Sequence, residues 1–164
     1  MIPVMGFAAP SGSGKTTLME RVIADLKGRG LRIAALKHGH HPAEPDIPGK
    51  DSHRFRQAGA ETVLFAGPGR WFLIQEREPP PWPELLALLQ DHDLILVEGY
   101  ADGPFPRIAI HRRESPPRGE PRLISGLVAV ATDDPALETD LPRLPLNDPA
   151  AVGDFILRHL GLMP

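Results

Sequence analysis

The chain has 164 residues, of which 41 % are hydrophobic and 24 % are charged, a composition typical of a globular protein with a core of its own. Its formal net charge is −3 without a run of basic residues, which argues against nucleic-acid binding, and its lack of cysteine excludes disulfides, zinc–thiolate sites and a cysteine nucleophile. No apolar run reaches the roughly 18 residues of a membrane span and the N-terminus lacks the basic start of a signal peptide, so we predict a cytoplasmic protein that does not bind membranes.

The first elements of the chain are predicted to be a strand, a helix and a second strand. Apolar runs predict strands over Ile2–Ala8 and Leu31–Lys37. Between them, Thr16–Arg29 carries apolar residues at helical spacing, and Gly28 or Gly30 is predicted to end that helix.

The middle of the chain predicts two short helices and a β-hairpin. Asp51 or Ser52 is expected to cap the first short helix. Residues 61–66 and 70–76 are largely apolar runs that flank Gly67-Pro68-Gly69, which predicts a hairpin with a turn of about three residues. Residues 82–90 predict the second short helix.

The last part of the chain predicts further strands and a C-terminal helix. Strands are expected over 93–100, 107–112 and 127–135, the last running into a turn, and a short edge strand over 144–148. Asp148 is expected to cap the C-terminal helix, with a proline at its first position. Residues 93–100 are apolar on both faces, which predicts a central parallel strand.

This alternation of strands and helices predicts an α/β fold with a mostly parallel sheet flanked by helices, interrupted by a β-hairpin insertion. The sequence contains no internal repeat and no boundary between domains, so we predict one domain over residues 1–164. In such a sheet the ligand lies at the carboxyl ends of the strands.

The most informative motif is Ala9–Thr16, APSGSGKT, which lies between the first predicted strand and the first predicted helix. That context is required of a phosphate-binding P-loop, whose backbone N–H groups and helix dipole hold phosphate oxygens. Lys15 would add a positive charge at the β- and γ-phosphates, and the Thr16 hydroxyl would ligate magnesium. The alternative is an ordinary glycine-rich turn.

A second motif is the strand that ends in Glu98 and Gly99, which is similar to a Walker B strand. A carboxylate at this position reaches the magnesium shell, and a glycine lets the backbone approach a phosphate. The alternative is a strand end with a solvated glutamate. A P-loop in the same sheet favours the magnesium role.

Five segments in order resemble the MobB family of molybdopterin-guanine dinucleotide biosynthesis proteins: FAAPSGSGKTTL, ALKHGHH, DIPGKDSHRFRQAGA, DLILVEGY and VAVATDDP. The resemblance covers residue 2 to about residue 157, nearly the whole chain. It implies a P-loop fold and a small, dimeric GTP-binding accessory protein with weak magnesium-dependent GTP hydrolysis. It also implies a partner, the guanylyltransferase MobA, which joins GMP to molybdopterin, and molybdopterin itself is a further candidate ligand. The family thus predicts GTP and Mg²⁺ as cofactors.

The resemblance assigns roles to individual residues. Glu98, with Thr16, would hold magnesium. Asp46 and Asp51 lie where the family places switch-type residues, so they and Lys15 are candidate catalytic residues, one aspartate ligating magnesium or orienting the attacking water. The alternative for both aspartates is capping of a loop or helix. The phosphate-binding positions that match are Gly12, Ser13, Gly14, Lys15, Thr16 and Thr17.

The polar loop after the second strand is a further candidate. Lys37, His38 and His41 are predicted to contact a phosphate or a pterin pyrophosphate. His38 and His41 with Asp46 would instead form a divalent metal site, although the spacing is irregular. The third interpretation is structural, with imidazoles that hydrogen-bond the loop backbone.

Asp133 ends a strand beyond the Walker B strand, where P-loop GTPases place the carboxylate that accepts hydrogen bonds from guanine. The chain has no NKxD motif, so guanine preference depends mainly on the resemblance. The Trp71–Phe72 pair on the hairpin favours packing or a homodimer interface.

The alternative function is a small-molecule P-loop kinase. A kinase of that kind needs a site for an acceptor hydroxyl and often has a lid with arginines over the phosphates, for which Arg112, Arg113 and Arg118 are the candidates. The proline-rich segment that carries them is short for a lid.

Overall fold

The structure is a computed structural model that describes residues 2–10, 12–39, 43–100, 102–114 and 124–163. It contains two compact units, one formed by Met1–His38 with Trp82–Pro164 and the other by Gly39–Pro81. A single domain over residues 1–164 stays a prediction. Among the described residues, the helices are too short or too polar to cross a lipid bilayer.

Eight strands and four helices form the described structure. They follow one another as β1 (Val4–Ala8), α1 (Lys15–Gly28), β2 (Ile33–Lys37), α2 (Asp51–Gln57), β3 (Thr62–Gly67), β4 (Arg70–Gln75), α3 (Trp82–Ala87), β5 (Leu94–Glu98), β6 (Arg107–His111), β7 (Leu127–Thr132), β8 (Arg143–Pro145) and α4 (Pro149–His159).

The first unit is built on a six-stranded sheet in the order β2-β5-β1-β6-β7-β8. Every neighbouring pair of strands is parallel. The strand β5 lies between β2 and β1, which confirms the prediction of a central parallel strand. After β1 the chain first builds β2 and β5 on one side of β1 and later builds β6 on the other. This reversal opens a crevice at the carboxyl end of β1.

Helices cover both faces of the sheet because its central strand is apolar on both faces. Leu94 and Leu96 of β5 pack in the core cluster that contains α1 and α4. Ile95 and Val97 of the same strand pack in the cluster that contains residues of α3. The two sets alternate along the strand, as the twofold periodicity of β structure requires. The prediction of a mostly parallel sheet flanked by helices is confirmed.

The helices of this unit begin and end close to where the sequence predicts. The backbone at Gly30, just beyond the last turn of α1, has a φ of +90°, a conformation that glycine adopts at little cost. At the start of α4, the carboxylate of Asp148 accepts a hydrogen bond from the N–H of Ala151 at 3.1 Å. The predicted N-cap is therefore confirmed, with Pro149 in the first turn.

The second unit contains α2 and the antiparallel hairpin β3–β4. The predicted cap of α2 is wrong, because Lys50 occupies the N-cap position and Asp51 is already helical. The hairpin is confirmed, with a shorter turn than expected. Gly67 pairs with Arg70, which leaves two residues in the turn, and the second of them, Gly69, has a φ of +69°.

Candidate functional site

The loop between β1 and α1 presents backbone N–H groups at the carboxyl end of the sheet. Its glycines Gly12 and Gly14 have φ values of +79° and +85°, which favour glycine over residues with a Cβ. Gly14 is the N-cap residue of α1, no side chain in the described structure caps the helix, and its first turn has no acidic residue. The free N–H groups and the positive end of the helix dipole therefore remain for an anion.

Two side chains of the loop hold its backbone in shape. The Ser13 hydroxyl donates to the carbonyl of Pro10 at 2.8 Å, so this hydroxyl supports the loop, whereas phosphate binding is left to the backbone N–H groups. The Lys15 ammonium donates to the carbonyls of Ala9 at 2.7 Å and Pro10 at 2.9 Å. Burial lowers the pKa of Lys15, while the charge of Glu98 raises it. Phosphate oxygens would be better acceptors for this ammonium than the two carbonyls.

Glu98 lies at the end of β5, in register with Lys37 of β2 on one side and with Phe7 of β1 on the other. Its Oε2 accepts a hydrogen bond from the Thr16 hydroxyl at 3.1 Å, and its Oε1 lies 3.9 Å from the Lys37 ammonium. The Glu98 side chain is 16 % exposed. Carboxylate and hydroxyl oxygens are ligands that Mg²⁺ prefers, so these oxygens fit the predicted metal position.

The turn after Glu98 has positive φ angles at two successive residues and packs against His38. Gly99 has a φ of +93°, and a Cβ built there would lie 2.7 Å from the carbonyl oxygen of His38. Tyr100 has a φ of +51°, and its ring packs 4.2 Å from the ring of His38 and 5.3 Å from that of Trp82. His38 therefore belongs to the packing around this turn. Its predicted contact with a phosphate or pterin stays a prediction.

The predicted histidine metal site is described only in part. His40 and His41 lie outside the described residues. Among the residues that are described, no group of three or more histidines and carboxylates lies close enough together to hold a metal ion.

Arg107 supports the same turn and was not singled out from the sequence. It is the first residue of β6 and is only 1 % exposed. Its guanidinium donates to main-chain carbonyls at 2.6 to 3.0 Å and stacks 4.4 Å from the ring centroid of Phe105. The accepting carbonyls belong to Tyr100, Gly103, Phe105 and Ser125. The sequence signal for Arg107 is that an arginine occupies the first position of a largely apolar strand.

The strand end at β7 places Asp133 against the loop after β6. Its Oδ1 accepts a hydrogen bond from the N–H of Arg113 at 2.8 Å, and its Oδ2 lies 3.6 Å from the Arg112 guanidinium. The carboxylate thus holds this loop, and its role as the residue that recognises guanine stays a prediction. Arg118, the third arginine of the kinase alternative, lies outside the described residues.

A cavity of about 290 Å³ lies beside the P-loop at the carboxyl ends of β1 and β6. Its lining includes Ala9, Ser13, Ile110, Arg112 and Thr139. Its largely apolar wall with few polar groups is typical of small-molecule sites.

The two candidate aspartates lie in the second unit. Asp46 is buried, with its side chain 5 % exposed, and its Oδ1 accepts hydrogen bonds from the Ser52 hydroxyl and the Ile47 N–H, both at 2.9 Å. Its Oδ2 lies 3.6 Å from Arg56. Asp51 is 85 % exposed and lies 3.8 Å from Arg54. Asp46 therefore caps its own loop, one of the two roles predicted for it, and catalysis by either residue stays a prediction.

Thr17 is exposed in the first turn of α1, where the motif places it. The first unit thus brings together the P-loop, Lys37, Glu98 and the turn around His38. A parallel α/β sheet in which β1 leads through a glycine loop into α1, beside a strand that ends in a carboxylate, defines a protein of the P-loop NTPase fold class.

Comparison with known proteins then identifies the family within that class. The family described as molybdopterin guanine dinucleotide synthesis protein B, MobB, matches residues 4–133. The chain is 40 % identical to the molybdopterin-guanine dinucleotide biosynthesis adapter protein of Haemophilus influenzae, over 94 % of this chain and 88 % of that protein. It is also 40 % identical to the Escherichia coli adapter protein, over 98 % of this chain and 94 % of that protein.

The fold agrees with a solved member of the same family. The crystal structure of Bacillus subtilis MobB superposes with a TM-score of 0.76 at 28 % identity, covering 97 % of this chain and 98 % of that one. The chain belongs to the MobB family, and the resemblance stated from its motifs is confirmed. Family membership assigns it a role in molybdopterin guanine dinucleotide synthesis.

Proposed function

We propose that this protein is a GTP- and magnesium-binding adapter of molybdopterin guanine dinucleotide biosynthesis, and at most a slow GTPase. The observation that carries the proposal is the contact between Thr16 and Glu98 beside the uncapped N-terminus of α1. It places a hydroxyl and a carboxylate together next to an anion site, as magnesium bound to a triphosphate requires.

The chain's own groups divide the work of holding the nucleotide. The loop N–H groups from Gly12 to Thr17 would bind phosphate oxygens, and Lys15 would exchange its two carbonyl acceptors for phosphate. Thr16 and Glu98 would hold Mg²⁺, which neutralises phosphate charge. Lys37, already 3.9 Å from Glu98, would add a further cation at this edge.

Within the described part of the chain, the two candidate aspartates differ in whether the carboxylate is already hydrogen-bonded, and this difference decides which one we propose for hydrolysis. Asp46 is committed to its own loop through Ser52 and Ile47, so we assign water orientation to the exposed Asp51. Replacing Asp51 by Asn is expected to slow GTP hydrolysis and leave GTP affinity unchanged. Replacing Asp46 by Asn is expected to lower the stability of the second unit.

The partner proposed is a guanylyltransferase of the MobA type, with molybdopterin as a further candidate ligand. Two relatives at 40 % identity carry the name adapter protein, and an adapter acts through another protein. GTP held here would connect the binding of this chain to the enzyme that uses the guanine nucleotide.

We further propose that the protein is a homodimer that buries one face of the hairpin. Leu64 pairs with Leu73 and Ala66 pairs with Trp71, so these side chains share a face. Leu64 is 62 % exposed and Trp71 is 68 % exposed. An exposed apolar face of this kind marks an interaction surface. Trp71→Glu should shift the protein from dimer to monomer in sedimentation, whereas Leu88→Glu, at an exposed leucine of the first unit, should not.

The test of function combines hydrolysis and partner binding. Phosphate release from GTP would be followed with the purified protein, and its association with the purified guanylyltransferase of the same organism would be measured by calorimetry. We expect slow release, and association that GTP strengthens and Lys15→Ala weakens. Rapid multiple-turnover transfer of phosphate to a small-molecule acceptor, without association, would contradict the adapter function and support the kinase alternative.

A further inference from the structure

An arginine outside the assigned motif lies directly against the P-loop. A Cβ built on Gly14 would lie 3.1 Å from Nη2 of Arg112, 3.6 Å from its Nε and 3.7 Å from its Cζ. The guanidinium therefore covers the Cα of the residue that caps α1 and precedes Lys15. Glycine suits this position because of its positive φ, and the Arg112 guanidinium would have to shift by a few tenths of an ångström to admit a Cβ.

The arginine reaches the loop from the opposite side to Lys37. Arg112 follows β6, which pairs with β1 on one edge, whereas Lys37 and Glu98 end strands on the other side of β1. A ligand on the loop would therefore meet Lys37 on one side and Arg112 on the other. Arg112 also lines the cavity beside the loop, so its guanidinium borders open space.

Asp133 holds this guanidinium loosely. The distance from Nη1 of Arg112 to Oδ2 of Asp133 is 3.6 Å, too long for a hydrogen bond, although close enough for an ion pair. The other oxygen of the carboxylate is fixed by the Arg113 N–H at 2.8 Å. The carboxylate is thus a fixed anchor, and the guanidinium keeps donors that this anchor does not saturate.

We propose that Arg112 is a phosphate-binding residue of this site and that Asp133 is its positioning residue. The proposal rests on the proposed binding of a nucleotide to the P-loop. A guanidinium is suited to this role because its planar donors match two phosphate oxygens at once, and it stays charged at every physiological pH. Arg112 supplies from the same chain a cation that neutralises the phosphates on the side away from magnesium.

The experiment is a calorimetric titration of Mg·GTP into the wild-type protein, four single variants and one double variant. Arg112→Gln should weaken binding by roughly tenfold or more, and Arg112→Lys should recover part of that loss because the charge is kept. Arg158→Gln, at an exposed arginine in the last turn of α4, is the control and should leave the affinity unchanged. Asp133→Asn should weaken binding by a few fold, and should add nothing when combined with Arg112→Gln.

The dependence on salt separates a phosphate contact from support of the fold. A lost charge contact makes the affinity less sensitive to salt, so the gap between wild type and Arg112→Gln should narrow as ionic strength rises. Thermal unfolding of the variant should stay near that of the wild type. An equal loss at every salt concentration together with a lower unfolding temperature would overturn the proposal in favour of a structural role.

Two further results have distinct meanings. If the wild type binds Mg·GTP and Arg112→Gln binds it equally well, the role of Arg112 is wrong and the nucleotide site stands. If the wild type binds no nucleotide, both the proposed function and the proposed role of Arg112 are wrong. Loss of the preference for GTP over ATP in Asp133→Asn, with no effect of Arg112→Gln, would assign Asp133 to guanine and overturn its positioning role.

Discussion

The hydroxyl of Thr16 donates a hydrogen bond to the carboxylate of Glu98 across 3.1 Å, although 82 positions separate the two residues in the chain. The sheet brings them together because β1, which leads into the loop before Thr16, pairs in parallel with β5, which ends at Glu98. The P-loop and the acidic strand end are therefore one site. The proposed binding of magnesium and a triphosphate depends on this contact.

The first prediction concerns magnesium at this contact. Glu98→Gln removes the negative charge and keeps the shape, so GTP should bind equally well with and without Mg²⁺, at about the affinity that the wild type shows without it. Calorimetric titrations in magnesium and in chelator measure this directly. Glu20→Gln, on an exposed position of α1, is the control and should behave as the wild type. If Mg²⁺ raises the GTP affinity of Glu98→Gln as much as that of the wild type, the metal does not bind at Glu98.

The second prediction concerns the P-loop lysine. Lys15→Ala removes a charge-assisted contact to phosphate and should weaken GTP binding at least about tenfold. The protein should stay folded, because Lys15 contributes two hydrogen bonds within the loop and lies outside the apolar core. Lys27→Ala, an exposed lysine in the last turn of the same helix, provides the comparison. An unchanged affinity in Lys15→Ala would exclude the loop as the phosphate site.

The third prediction concerns the buried arginine that supports the turn after Glu98. Arg107→Met removes four hydrogen bonds to main-chain carbonyls, of which, among the described residues, only those of Tyr100 and Gly103 have a second, main-chain donor, so we expect the free energy of unfolding to fall by roughly 3 kcal/mol. For a chain of this size the unfolding temperature should fall by about 10 °C. Circular dichroism during heating measures the shift.

The matched control for Arg107 is Arg32→Met. Arg32 pairs with Asp93 at 2.8 Å at the surface, where its side chain is 66 % exposed, and exposed ion pairs contribute little. A fall in unfolding temperature for Arg32→Met as large as that for Arg107→Met would show that the main-chain network contributes no more than a surface pair.

The fourth prediction concerns acid stability of the second unit. Hydrogen bonds from Arg56 lower the pKa of Glu44 from 4.5 to about 2. Because the folded pKa lies below the unfolded one, this stabilisation is complete above pH 4.5 and is lost as the pH falls towards 2. Glu44→Gln should therefore be less stable than the wild type at pH 7, and the difference should shrink across this window.

Urea unfolding at a series of pH values, followed by a probe in the hairpin such as Trp71 fluorescence, tests the fourth prediction. Glu78→Gln, an exposed glutamate of the same unit, is the control and should show no such convergence. A constant difference between wild type and Glu44→Gln from pH 7 to acid would contradict the assigned ion pair.

Local sequence signals predicted most of the fold. The two-sided apolar pattern of β5 is a direct consequence of burial on both faces, and Asp148 caps α4 through a contact only three residues long. The cap of α2 was predicted wrongly because the Ser52 hydroxyl donates a hydrogen bond to Asp46, which lies in the loop before the helix. Local propensity does not tell whether the hydroxyl bonds to such a loop carboxylate or caps the helix.

The candidate site likewise contains residues that local sequence motifs indicate and contacts that they do not. The P-loop glycines and Glu98 could be singled out from the sequence because phosphate and magnesium chemistry favours recognisable local motifs, and their roles stay predictions. The contact of Arg112 with Gly14 depends on the order of strands in the sheet, and so does the support that Arg107 gives to distant carbonyls. Such contacts follow from the topology, which the sequence patterns do not specify.

The most direct test of the central claim is a calorimetric titration of GTP and of ATP, each with and without magnesium, into the wild-type protein. Binding that requires magnesium for full affinity and prefers GTP is the result that this account predicts. Binding that is indifferent to magnesium, or equal for the two nucleotides, would contradict the assignment of the P-loop and Glu98 as a Mg·GTP site.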